Sequence, residues 1–121
     1  EIHKKIKKIR NSNNIIIECK QSNSESEIIG WIQNAKNNFK AIVINAGGYT
    51  HTSVSIRDAL KLFDELVIEI HMSNIHSRED FRHKSMISGV SSGIIIGFGD
   101  QSYYLAVNAA INKISGVKNY G

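Results

Sequence analysis

Residues 45–82 read NAGGYTHTSVSIRDALKLFDELVIEIHMSNIHSREDFR, and this stretch decides the fold. Two apolar runs frame it. The first, IVIN, ends in Asn45 and leads into Gly47-Gly48; the second, VIEIH, carries Glu69 inside it and ends in His71, followed by Ser73-Asn74. Apolar runs of this length, rich in Ile and Val and lacking polar alternation, suit parallel strands covered on both faces. Open parallel sheets bind ligands at the carboxyl ends of their strands, which is where these polar residues fall. A glutamate within such a run needs a partner, because an unpaired buried charge is costly.

Working outward, residues 15–19 and 93–98 are two further apolar runs, giving four candidate strands with 41–45 and 67–71. Helical patterns separate them. Residues 24–38 place Ile28, Ile29, Trp31, Ile32 and Ala35 on one side, and Ser24 with Glu27 has the form of a capping box. Residues 53–63 repeat the pattern with Val54, Ile56, Ala59, Leu60 and Phe63, and residues 103–114 with Leu105, Ala106, Ala109 and Ala110. Strands alternating with helices predict α/β architecture with right-handed crossovers.

The chain has 121 residues, 41% of them hydrophobic, which fits one domain spanning residues 1–121 with a real core. No apolar run approaches a membrane span, and no secretory pattern opens the sequence, so a cytoplasmic setting is expected. Cys19 is the single cysteine and excludes an intrachain disulfide; its apolar run predicts a buried thiol. The net charge of +4 is mildly basic. Lys4, Lys5, Lys7, Lys8 and Arg10 suggest a nucleic-acid patch at first sight. However, Ile2, Ile6 and Ile9 recur among them at helical spacing, and no aromatic residues interleave. A solvated helix face is the expectation, with no nucleic-acid or membrane partner.

The chemistry concentrates at a few positions. In a strand, residues two apart share a face, so Val67, Glu69 and His71 point one way and Ile68 and Ile70 the other. A carboxylate beside an imidazole favours the protonated ring, the form a general acid needs; a satisfied core histidine is the structural alternative. Gly47-Gly48 permit a tight turn and close approach of a ligand to the backbone. Thr52 or Ser53 is placed to cap the following helix, whose free N–H groups favour an anion. Arg78 and Arg82, four apart, suggest one helical face suited to carboxylates and hydroxyl-rich anions. Asp58 is either a surface acid or a group aimed at a neighbouring subunit. Five histidines raise the question of a metal, but no HExxH or Cys/His ligand spacing occurs, and none is expected.

Taken together, the strings QSNSESEIIGWI (21–32), INAGGYTHTSVSIRDAL (44–60), IEIHMSNIHSREDFRHKSMIS (68–88) and GIIIGFGDQSYYLA (93–106) resemble type II 3-dehydroquinate dehydratase. The resemblance implies a flavodoxin-like three-layer fold with a parallel sheet in the order 2-1-3-4-5. It implies a lyase of the shikimate pathway that converts 3-dehydroquinate to 3-dehydroshikimate by trans-dehydration through an enolate, without metal or organic cofactor. It implies trimers packed four together into a dodecamer. Residue by residue, His71 is similar to the general acid, with Glu69 orienting it, and Asn45 to the residue that holds a water against the enolate oxygen. Met72 and Ser73 match positions that grip the substrate carboxylate, and His51 and Arg82 match hydroxyl-binding positions. Asp58 matches an acid contributed across the trimer interface, and Arg78 a residue near the active-site lid.

The family's opening strand, its GPNLN-type turn and the lid carrying an arginine and the tyrosine base have no counterpart in the 121 residues. In the expected sheet that strand lies between the runs at 15–19 and 41–45, and its loss leaves a gap of roughly twice the usual 4.8 Å spacing. The resemblance therefore carries the expectation of about 25–30 further residues upstream. A non-catalytic anion-binding module of the same fold, keeping Asn45, Ser73 and Arg82 but lacking the base, is the alternative reading.

Overall fold

In the computed structural model, which describes residues 2–13 and 15–114, three of the four predicted strands form one parallel sheet. They are β1 (Ala41–Ile44), β2 (Leu66–His71) and β3 (Gly93–Ile96), in that spatial order. This is the 3-4-5 part of the expected order. β2 is central and runs in register with both neighbours, so that Glu69 lies opposite Ile44 on one side and Ile94 on the other.

Helices α2 (Glu25–Ala35), α3 (Val54–Leu62) and α4 (Gln101–Ile114) connect and cover the strands. The alternation read along β2 holds. Val67 joins Ile32, Ala35, Ile56, Ala59, Leu60 and Phe63 in a core on the α2–α3 side. Ile68 and Ile70 pack on the other side with Ala106 and Ala110 of α4. The caps also hold. Ser24 accepts from the Glu27 N–H at 3.2 Å at the start of α2, and Ser53, rather than Thr52, accepts from the Ile56 N–H at 2.9 Å at the start of α3. The Ser53 hydroxyl donates in turn to Glu25, so the negative group at that helix end is the chain's own carboxylate rather than a bound anion.

Helix α1 (Ile2–Asn13) packs on α4, with Ile6 buried and Lys4, Lys5, Lys7 and Lys8 exposed, and the Lys5 ammonium sits 5.1 Å from the Tyr104 ring centre. The basic run is therefore the solvated face of an amphipathic helix. Two expectations fail nearby. Residues 15–19 form no strand, and Ile16 is 83% exposed. An apolar run becomes a strand only when a neighbouring edge supplies its hydrogen bonds, and among the described residues no ladder reaches this segment. Cys19 follows the segment outward and is exposed rather than buried.

Candidate active site

The end of β1 is where the first functional side chain emerges. Asn45 is the first residue beyond Ile44, and the chain turns at once through Gly47, whose φ of 58° is left-handed and favours glycine. The turn lets the Gly47 N–H donate to the Asn45 Oδ1 at 3.2 Å, while the Asn45 Nδ2 donates to the Tyr103 hydroxyl at 3.1 Å. A short 3-10 segment, Gly47–His51, then delivers His51. The His51 Nδ1 donates to the Lys84 carbonyl at 2.8 Å, since a carbonyl oxygen only accepts. This fixes the tautomer and leaves Nε2 for a ligand.

On β2, Glu69 and His71 share the α2–α3 face, as their spacing requires. Both are buried, and the His71 Nε2 meets the Glu69 Oε2 at 2.5 Å. Two hydroxyls complete the carboxylate's shell: Ser85 at 2.8 Å on Oε2 and Ser88 at 2.5 Å on Oε1. Burial pushes the Glu69 carboxyl upward. Hydrogen bonds from His71, Ser88 and Ser85 and the charge of His71 outweigh it and hold the group below the usual glutamate range. Nε2 being engaged, Nδ1 is the His71 nitrogen left for substrate.

Beyond His71 the chain is braced by the loop after β3. Gly97, at φ 93°, donates its N–H to the His71 carbonyl at 2.9 Å, and Gly99, at φ 56°, donates to the Met72 carbonyl at 2.8 Å. Met72 and Ser73 are thereby set at the strand end. Arg78 and Arg82 do not lie on one continuous helix. They follow and occupy two short 3-10 turns, Ile75–Ser77 and Asp80–His83. Residue 78 is extended at φ −108°, ψ −169°, which breaks the helical path. Both nonetheless reach the same place: Arg78 donates to the Ser73 hydroxyl at 3.4 Å, and the Arg82 Nε sits 3.3 Å from Glu79 with its guanidinium over the Phe81 ring.

These elements enclose a cavity of about 200 Å³ lined by Asn45, Gly47, His51, His71, Met72, Ser73, Ile75, Arg78 and Arg82. Asn45 and His71 thus face common space from adjacent strands, and the rings of His51 and His71 stack at 6.5 Å. Glu69 stands behind His71, out of the cavity. Asp58 is not brought to it; on α3 it pairs with Arg57 at 2.9 Å and is 61% exposed. Gly47 lines the wall, as the close backbone approach read at Gly47-Gly48 requires, whereas Ile75 as a wall residue, Tyr103 as the partner of Asn45, and Ser85 and Ser88 as partners of Glu69 were not singled out by the sequence. Hydroxyls remote in sequence carry no periodic signal. Among the described residues no cluster of three or more metal-ligating side chains occurs, and no helix is long and apolar enough to cross a membrane.

A parallel α/β sheet with a carboxylate-backed histidine, an amide and two arginines around a pocket at its strand ends is the arrangement in which open α/β folds bind small polar ligands. The chain belongs to the class II dehydroquinase family, whose model matches residues 1–111. It is 49% identical over 109 residues to the 3-dehydroquinate dehydratase of Nitratiruptor sp., covering 90% of this chain and 70% of that protein. Against the 3-dehydroquinate dehydratase of Campylobacter jejuni it is 45% identical, covering 98% of this chain and 75% of that one. The crystal structure of type II dehydroquinase from Butyrivibrio crossotus superposes with a TM-score of 0.87 at 43% identity, covering 90% of this chain and 77% of that one. The fold is accordingly flavodoxin-like.

Proposed function

We propose that this protein is a hydro-lyase that converts 3-dehydroquinate to 3-dehydroshikimate and water, in the shikimate pathway, with His71 as general acid. The observation that carries the reading is the buried Glu69–His71 pair at 2.5 Å, set at the wall of a cavity that also holds Asn45, His51, Ser73 and Arg82. The reaction removes a proton beside the ketone, forms an enolate, and expels the hydroxyl as water after it takes a proton from His71. Glu69 orients the ring and balances its positive charge; the Nδ1 side supplies the proton. The free N–H of Asn45 Nδ2 holds a water against the enolate oxygen. Ser73 and the Met72 backbone grip the carboxylate, His51 and Arg82 bind hydroxyls, and Arg78 stands at the lid. The resemblance assigns the proton acceptor to a tyrosine of the family's lid, a motif that Tyr49, Tyr103 and Tyr104 do not occupy. Tyr49 donates to the Asn23 carbonyl, Tyr103 is bonded to Asn45, and neither they nor Tyr104 line the cavity.

The assembly we infer is a trimer packed into a dodecamer, with Asp58 entering a neighbour's cavity; its exposure and its absence from the lining of its own cavity support this. Residues 1–121 form one domain of this type, requiring no cofactor. An exposed, unpaired Cys19 fits a reducing, cytoplasmic setting.

The test is turnover by the full-length protein, followed as growth of the conjugated enone's absorbance. His71→Ala is expected to lower kcat by about 10²–10⁴-fold with little change in KM. An unchanged kcat removes His71 from the acid role.

A further inference from the structure

The Glu69 carboxylate is wired for one protonation state. The Ser85 hydroxyl oxygen accepts from the backbone N–H groups of Ile87 and Ser88, both at 3.1 Å. Its acceptor capacity is therefore taken, and its own O–H is left to donate to the Glu69 Oε2 at 2.8 Å. That same oxygen faces the His71 Nε2 at 2.5 Å, and Oε1 takes the Ser88 hydroxyl at 2.5 Å. While the His71 ring carries both of its protons, a protonated carboxyl at Oε2 would have to donate, and both of its neighbours already donate toward it. Protonation there leaves donors facing each other in a fully buried position, where an unmet polar group costs about 1–3 kcal/mol.

We infer that Ser85 and Ser88 are positioning residues that hold Glu69 as a carboxylate and so set the acid limit of the enzyme. The turn at residues 85–88 thus acts through Glu69 on His71, without touching the cavity. The kinetic part of this rests on the dehydratase reading; the titration part does not. The other charged groups around the site lie elsewhere. His51 stacks on His71, Arg78 and Arg82 line the cavity and are engaged by Glu79, and Lys84 is exposed with its carbonyl bound to His51. The in-register neighbours of Glu69 on β1 and β3 are Ile44 and Ile94. The charge acting on Glu69 is that of His71.

The sign follows from the carboxyl being held low. A carboxylate with a depressed pKa stays ionised until the pH falls through that value, so activity that needs it is lost only on the acid side. Removing the two hydroxyls leaves burial less opposed, raises the Glu69 pKa and moves the acid limb to higher pH.

The experiment compares the full-length protein with Ser85→Ala/Ser88→Ala and with Ser88→Ala alone, which spares the backbone contacts of Ser85. The Glu69 carboxyl is titrated by carbon NMR, assigned by its absence in Glu69→Gln, and kcat and KM are measured across pH. The double variant is expected to raise the Glu69 midpoint by about one pH unit or more. Ser88→Ala moves it less in the same direction, and the acid limb of kcat moves with it while KM stays within about twofold. An unmoved Glu69 midpoint in both variants overturns the inference, whatever happens to the rate. Absence of turnover in the unsubstituted protein refutes the dehydratase reading instead, and the titration still decides this one.

Discussion

Asn45 shows how little of a polar side chain's orientation is left to chance in this site. The Gly47 N–H must meet an acceptor, which fixes Oδ1 on that side and turns Nδ2 toward Tyr103. One N–H goes to the phenol and the other remains for the cavity. Tyr103→Phe keeps the ring in its place against β2 but removes the acceptor, so the amide gains freedom at the position assigned to the enolate-bound water. A loss of about 10-fold in kcat is expected, near the worth of one hydrogen bond, with KM barely changed. Steady-state kinetics check this, and a KM increase at constant kcat would place Tyr103 in substrate binding instead. At this scale the sequence was informative where side chains sit on the element that carries the chemistry. Glu69 and His71 were legible because a strand's two-residue period puts them on one face. Tyr103, 58 positions from Asn45, and Ser85, 16 from Glu69, meet their partners only after the chain has folded.

At the scale of elements, the caps and the core faces of α2 and α3 followed from local chemistry, because Ser24, Ser53 and the apolar stripe act within a few residues of themselves. The strand expected at 15–19 did not form, since its ladder depends on an edge that no described residue provides. The helical face assigned to Arg78 and Arg82 became two 3-10 turns, yet the arginines still converge, because the extended residue between the turns redirects the chain over the same cavity. The loop after β3 has its own local logic. Gly97 holds φ 93° to aim its N–H at the His71 carbonyl, and a Cβ there would meet Asn74 atoms at 3.7 Å, an ordinary contact. The cost of Gly97→Ala is thus backbone strain rather than a clash, about 1–2 kcal/mol. Urea unfolding is expected to show a lower midpoint at unchanged slope. KM is also expected to rise, because the brace on the Met72–Ser73 turn loosens. A variant as stable as the parent would show that this backbone conformation is not held by the glycine.

Across the whole molecule, the site divides unequally between what one chain supplies and what the proposed trimer supplies. A single chain gathers Asn45, His51, His71, Ser73 and Arg82 around the cavity, but its own Asp58 stays on α3, exposed and paired with Arg57. If Asp58 serves a neighbour, His71 and Asp58 of any one site come from different chains. His71→Ala and Asp58→Ala subunits should then each assemble into enzymes of low activity and rescue one another on co-assembly. With equal, random mixing, about a quarter of the sites receive an intact His71 from one chain and an intact Asp58 from its neighbour in a cyclic arrangement. Mixing the unfolded variants, refolding them together and measuring turnover reads this directly, with each variant refolded alone as the baseline. Recovery toward a quarter of the parent rate per site is expected. Activity that stays at the average of the two separate baselines means that Asp58 works, if at all, within its own chain, and the division of the site between subunits is then wrong even where the trimer is real.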